Sequence, residues 1–173
     1  IYVADTGNHR ILRWVAGAST GELLAGTGSA GTSASAFSSP ENVVVTDDGA
    51  FYVADTGNNR VVYWAAGAAV GILLAGETLD RPRGLAIDVS GKLYVADAGR
   101  HSILCALPPP YFSLTLVLGA RGRGSGVDQI DSPLGVAVYL SRLLIADTGN
   151  GRLLSWKLPR PASNGEVLIG GGV

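Results

Sequence analysis

The stretch Tyr2-Val3-Ala4-Asp5-Thr6-Gly7-Asn8-His9-Arg10-Ile11 returns three times along the chain. Its second copy is Tyr52-Val53-Ala54-Asp55-Thr56-Gly57-Asn58-Asn59-Arg60-Val61, and its third is Tyr94-Val95-Ala96-Asp97-Ala98-Gly99-Arg100-His101-Ser102-Ile103. The fourth is Leu144-Ile145-Ala146-Asp147-Thr148-Gly149-Asn150-Gly151-Arg152-Leu153. The shared Asp stands at 5, 55, 97 and 147, so the periods are 50, 42 and 50 residues. A period of that length, built of short apolar runs, means a repeat architecture.

Outward from each decapeptide the same plan recurs. A Pro opens the unit (Pro40, Pro82, Pro133), and the Asp follows 15, 15 and 14 residues later. The plan predicts four short strands per unit, called A to D, with the decapeptide supplying strand B, a polar turn and the start of strand C. The first unit lacks strand A. In unit two the strands fall at about 42–45, 51–55, 60–65 and 72–75. The units run approximately 1–39, 40–81, 82–132 and 133–173, within a single segment 1–173. Asp- and Gly-bearing turns such as Thr46-Asp47-Asp48-Gly49 join A to B. In unit four Pro159, Arg160 and Pro161 sit in the C–D turn. Two connections are long, Gly26 to Ser39 and Gly119 to Ser132. The repeat stays in phase beyond each, which favours enlarged loops in one array over flexible linkers.

A four-stranded unit of this size cannot bury both faces alone; stacking units face to face does so, and curling the stack into a ring removes its ends. The expected fold is therefore all-β: a β-propeller of four-stranded antiparallel blades, about four of them present, as part of a larger ring or a four-bladed one. Small Ala4, Ala54, Ala96 and Ala146 recur beside Val3, Val53, Val95 and Ile145, a pattern suited to close blade packing. A β-sandwich does not call for an in-phase decapeptide, and a β-helix wants shorter coils.

With 47% hydrophobic residues the chain has ample material for a core, and no apolar run reaches membrane-spanning length. Thirteen Lys and Arg against fourteen Asp and Glu leave a net charge of -1, which gives no global attraction for nucleic acid. One cysteine, Cys105, excludes an internal disulfide framework. The chain has no Met and opens inside a strand, so a segment of a longer polypeptide is expected.

At the Tyr-Val-Ala-Asp-Thr-Gly-Asn-His-Arg-Ile stretch, and at Pro82-Arg83-Gly84-Leu85-Ala86-Ile87-Asp88, the sequence resembles the NHL-repeat family. The name-giving Asn-His pair is intact at Asn8-His9; the other units carry Asn58-Asn59, Arg100-His101 and Asn150-Gly151. The resemblance implies propellers, usually six-bladed, that act as scaffolds for proteins, RNA or small ligands. It also implies, as alternatives, a metal-assisted lyase or hydrolase similar to the peptide-amidating lyases, and a carbohydrate or other small-ligand binding module. Compartment stays open, with extracellular or organelle-associated settings favoured by the resemblance.

Three sets of residues recur in register. Asp5, Asp55, Asp97 and Asp147 end strand B, where a carboxylate accepts turn N–H groups; a ring of them binding a cation is the sharper alternative. Arg10, Arg60 and Arg152 open strand C and suit a latch to carboxylate and turn oxygens. Trp14, Trp64 and Trp156 suit packing between adjacent outer strands, with a stacking platform for sugars or bases as the alternative. No catalytic constellation is legible. No metal cluster is either, and cofactors are expected to be absent, with Ca or Zn the alternative at the Asp ring. His9 and His101 stand in B–C turns outside any ligand-spaced group.

In such a blade the B–C turn and the D–A connection lie at one end. The binding face is therefore assigned to Asn8, His9, Asn58, Asn59, Arg100, Arg121, Arg123, Asp128 and Asn150, beside the two long connections. The expected partner is a protein, or further blades of the same parent chain, or a second copy closing the ring.

Overall fold

The structure, a computed structural model, describes residues 1–75, 78–126, 128–158 and 165–170. The turn assigned to Pro159, Arg160 and Pro161 lies outside the described residues. Every sheet is antiparallel and follows chain order. The first has three strands, β1 (Tyr2–Asp5), β2 (Arg10–Arg13) and β3 (Glu22–Gly26). The second is β4 (Asn42–Val45), β5 (Phe51–Asp55), β6 (Arg60–Trp64) and β7 (Ile72–Ala75). The third is β8 (Pro82–Ile87), β9 (Leu93–Asp97), β10 (Ser102–Ala106) and β11 (Leu114–Leu118). The fourth is β12 (Gly135–Tyr139), β13 (Arg142–Asp147), β14 (Arg152–Lys157) and β15 (Glu166–Gly170). We call these blades one to four.

The sequence reading treats 1–173 as one segment, whereas the contacts divide it into two compact units, Ile1–Pro82 and Arg83–Val173. The reason lies in the connections. Each unit owns one long connection, and that connection packs its own two blades together.

In the first unit the core joins Ala4, Ile11 and Ala25 of blade one to Phe51, Val53, Val62 and Trp64 of blade two. Phe37, from the long connection, is fully buried among them. Its ring lies 5.2 Å from that of Trp64, which stacks on Phe51 at 5.9 Å. In the second unit Tyr94, Ala96, Ile103 and Leu118 of blade three meet Leu143, Ile145, Leu154 and Trp156 of blade four, with Ile130 in the place of Phe37. In both units the strand-B Ala of one blade, Ala4 or Ala96, belongs to the core that takes the bulky side chains of the next. Filling such a site with a Phe or Ile side chain contributes roughly 1.5–3 kcal/mol.

The pairing carries one further regularity. The register of strands C and D shifts at Ile11/Leu12, Val61/Val62, Ile103/Leu104 and Leu153/Leu154, one bulge per blade at the same place. Beside it Gly26, Gly119 and Gly170 hold φ of +95°, +97° and +86°, against the backbone of the B–C turn. A side chain there would meet that backbone as well as the unfavourable φ.

Candidate functional site

The decapeptide builds the same small machine in each blade. After the Asp the chain makes a single 3-10 turn, Thr6–Asn8, Thr56–Asn58 or Thr148–Asn150. A left-handed residue closes the turn: His9, Asn59 and Gly151, with φ of 54°, 54° and 57°. His101 takes the same conformation in blade three, at φ 52°. The turn aims the Asp, Asn and Arg side chains at one another. Arg10 Nε donates to Asp5 Oδ2 at 2.8 Å, Arg60 Nε to Asp55 Oδ2 at 2.6 Å, and Arg152 Nε to Asp147 Oδ2 at 2.6 Å. Asn8, Asn58 and Asn150 each donate from Nδ2 to the same carboxylate. Arg10, followed by Asn8, holds the Asp5 carboxyl below the usual carboxylate range.

In blades two and four these side chains also hold the long connection. Arg60 donates to the carbonyls of Thr32, Ser33 and Ala36, and Asn58 to that of Gly31. Asp55 Oδ1 accepts the backbone N–H of Ser38 at 2.7 Å, and Gly57 N donates to Ser38 O at 2.8 Å. The second unit repeats this bond for bond. Arg152 donates to Ser125, Gly126 and Gln129 carbonyls, and Asn150 to Gly124. Asp147 Oδ1 accepts Asp131 N at 2.7 Å, and Gly149 N donates to Asp131 O at 2.8 Å. Asp55 and Asp147 are fully buried. A charge so placed needs both its ion pair and its hydrogen bonds.

A second device reaches the residue before each Pro. His9 Nδ1 accepts Ser39 N at 2.9 Å, Asn59 Oδ1 accepts Arg81 N at 2.8 Å, and His101 Nδ1 accepts Ser132 N at 3.0 Å. These three donors sit at φ of 48°, 52° and 45°. Thr6 and Thr56 add hydrogen bonds to the Pro40 and Pro82 carbonyls. Three residues before each Pro stands a buried apolar anchor: Phe37, Leu79 and Ile130.

The structure therefore gives the binding-face residues two kinds of place. Asn58 and Asn150 are engaged in holding the connections, and His9, Asn59 and His101 in latching them. Arg121 is exposed, and its carbonyl accepts Gln129 Nε2 at 3.3 Å. Arg123 keeps its side chain 70% exposed while pairing with Asp131 at 3.0 Å. Asp131 also lies 3.1 Å from His101 Nδ1. Burial raises the Asp131 carboxyl, but the Arg123 and Ser132 hydrogen bonds and the nearby charges outweigh it, leaving it below the usual range. Asn8 is exposed, Arg100 is exposed at the corresponding turn of blade three, and Asp128 lies half-buried in the second long connection.

The sugar-platform reading of the Trp set needs correction. Trp64 and Trp156 are 2% exposed, so neither ring face is open to a ligand. Each ring packs directly against a Gly before strand D, Gly71 or Gly165, and Trp64 Nε1 donates to Ala68 O at 3.1 Å. Trp14 lies the same way on Gly21 but stays half-buried. Among the described residues no three His, Cys, Asp or Glu side chains come close enough to hold a metal ion, the Asp set included. Burial pushes the Cys105 thiol up, away from the thiolate that nucleophilic chemistry needs.

Sequence reasoning missed the two-blade period. Asp97 and Asp147 lie 92 residues beyond Asp5 and Asp55, and the two long connections have equal length. The equal spacing was available in the sequence; the hydrogen bonds that give it meaning were not.

The NHL repeat profile matches residues 37–62 and 79–106. A chain in the crystal structure of a nidogen/laminin complex matches in fold, with a TM-score of 0.72 and 20% identity, over 91% of this chain and 54% of that one. This chain therefore spans about half the length of that neighbour. No curated protein sequence matches it. The fold is a β-propeller, all-β and built of antiparallel blades. The NHL repeat matches cover blade two from Phe37 to strand C and the first three strands of blade three. No helix among the described residues is long and apolar enough to cross a membrane.

Proposed function

We propose that the chain is a non-catalytic propeller scaffold, each unit of which offers a protein partner the face carrying its own B–C turns and long connection. One observation carries this reading: the same set of side chain-to-carbonyl bonds pins both connections, each between two blades. A loop fixed in advance loses little freedom on binding, so it presents a shaped surface at low entropic cost. Arg121 and Arg123 stand on that surface with exposed side chains. The fold neighbour comes from a protein–protein complex, which agrees with a scaffold role.

The test is charge reversal of Arg121 and Arg123 together, with the fold checked by circular dichroism. A partner isolated with the unaltered protein should lose at least about tenfold in affinity, which is about 1.4 kcal/mol. Unchanged affinity would remove this face from the reading.

A further inference from the structure

The two long connections form an internal comparison. They have equal length, Gly26 to Ser39 and Gly119 to Ser132, and the same Asp, Asn and Arg bonds pin both. Their other side chains differ. Counted along the connection, Arg121 and Arg123 stand where the first has Gly28 and Ala30, Gln129 where it has Ala36, and Asp131 where it has Ser38. The first connection is held without these four side chains, so pinning does not account for them.

They are tied to one another. Gln129 Nε2 donates to the carbonyls of Arg121 at 3.3 Å and Arg123 at 3.2 Å, and its Oε1 accepts Gly126 N at 3.2 Å. A Cβ on Gly124 or Gly126 would come within 2.5 or 2.7 Å of that Oε1, so the two glycines make room for the amide. Buried Asp131 accepts Arg123 Nε and Ser132 Oγ, each at 3.0 Å. Arg60 and Arg152 grip their Asp through the same Nε and commit their terminal nitrogens to carbonyls. Those of Arg123 meet no acceptor among the described residues. The exposed Arg121 side chain makes no hydrogen bond or ion pair there either. The acids of this connection lie deeper, Asp131 buried and Asp128 half-buried. Its charges sum to zero, yet it presents guanidinium groups outward.

We propose that the Arg121 and Arg123 edge of the second connection takes a carboxylate-bearing segment of the protein partner. A guanidinium anchored at Nε offers its terminal N–H groups as a fork that matches the two oxygens of a carboxylate. Arg121, whose backbone is held by the same Gln129 amide, supplies a second cation for a flanking acid. A nucleic-acid backbone needs a continuous positive groove, which a chain of net charge -1 with Asp128 and Asp131 in this very connection does not supply. An acidic peptide needs only the fork. The inference rests on the scaffold reading and narrows it. The two units offer unlike faces, because Gly28 and Ala30 bring no charge to the first.

The probe is hexaglutamate, titrated into the full 173-residue chain at low salt, with the Arg Nε–H signals followed by NMR and hexaglutamine as the control. Saturable binding that shifts the Arg123 signal is expected, with none for hexaglutamine. The decisive variant takes the first connection's own residues, Arg121→Gly with Arg123→Ala, and keeps every pinning bond. It should weaken binding about tenfold or more. Arg123→Lys keeps the charge without the fork and should lose about threefold or more. Gln129→Ala, also the first connection's residue, should weaken binding while the fold stays intact by circular dichroism. No saturable binding at millimolar peptide, or binding that the Gly and Ala pair or Arg123→Lys leaves unchanged, would overturn the proposal. Tighter binding of a single-stranded RNA oligomer at the same arginines would overturn it too. The scaffold reading fails separately. A partner lost on reversal of Arg121 and Arg123, in a protein that ignores hexaglutamate, leaves that reading standing and removes only the acidic chemistry.

Discussion

His9 Nδ1 accepts the backbone N–H of Ser39 at 2.9 Å across thirty residues of chain. Asn59 Oδ1 does the same for Arg81 at 2.8 Å. Two different side chains serve because each puts an acceptor at one reach from a left-handed turn residue. A non-Gly residue in that conformation costs roughly 1–2 kcal/mol, and the latch offsets it. Asn tolerates the left-handed region better than most residues. His9→Asn should therefore stay within about 0.5 kcal/mol of the parent, whereas His9→Ala keeps the strain and orphans the Ser39 donor, at about 1–3 kcal/mol. Equilibrium urea unfolding distinguishes the two; equal losses would mean that the imidazole acts by packing.

The Arg–Asp pairs should differ by blade. Asp55 and Asp147 are fully buried, while the Asp5 side chain is 22% exposed. Removing Arg60 or Arg152 strands a buried carboxylate and frees a connection, which costs about 3–5 kcal/mol. Arg10→Ala should cost about 1 kcal/mol or less, as for an exposed pair. Arg60→Ala should also lower the melting temperature more than Arg100→Ala, since blade three opens strand C with Ser102. Hydrogen exchange should show faster exchange at Ser38 N in Arg60→Ala. Comparable small melting shifts for all four variants would remove the latch.

The strand plan was legible because a bladed repeat writes itself as period and alternation. Strand B at Phe51–Asp55 and strand D at Ile72–Ala75 fall where the pattern places them. Strand A of blade three opens on Pro82 itself, because a Pro can begin a strand without its N–H. The fate of Asn58 and Asn150 was not legible. A polar side chain in a turn reads equally as a ligand contact or a loop tie, and the choice depends on carbonyls 24 to 28 residues away in chain position. The Gly26 to Ser39 composition likewise suits a flexible linker; the phase of the repeat argues against one, and the buried Phe37 and the row of pinned carbonyls supply the physical tie.

Acid should weaken the fold through carboxylates held below the usual range. Arg10 does this for Asp5 and the Thr46 hydroxyl does it for Asp48. For Asp88 burial pushes upward, but hydrogen bonds from Ser90, Lys92 and Tyr94 outweigh it. A carboxyl whose folded pKa lies below its unfolded value binds fewer protons when folded, so stability rises with pH there. The contribution is complete above about pH 4 and is lost as pH falls through the lower folded values. Asp88→Asn should lower stability at pH 6 and flatten the acid slope, read as melting temperature against pH. Tyr52 acts in the opposite sense: burial pushes it up to about 12, so its contribution is whole below pH 10.0 and fades as pH climbs toward 12. An unchanged acid slope in Asp88→Asn would show that other groups carry it.

The Trp–Gly contact gives the sharpest test of packing against binding. The Trp64 ring covers Gly71 so closely that an added Cβ collides with the ring and with Val62 Cγ1. Both sit in the core that holds Phe37, so the ring has no free direction in which to move. Gly71→Ala should cost about 1–3 kcal/mol by overpacking and should loosen the Phe37–Trp64 contact. Gly67→Ala, in the same turn, meets no neighbour within 4 Å and carries only the strain of φ +72°. Tryptophan fluorescence during urea unfolding should therefore place the Gly71→Ala midpoint well below that of Gly67→Ala. If the two midpoints coincide, the Trp64 ring is not wedged, and the turn conformation rather than the ring sets the stability of this corner.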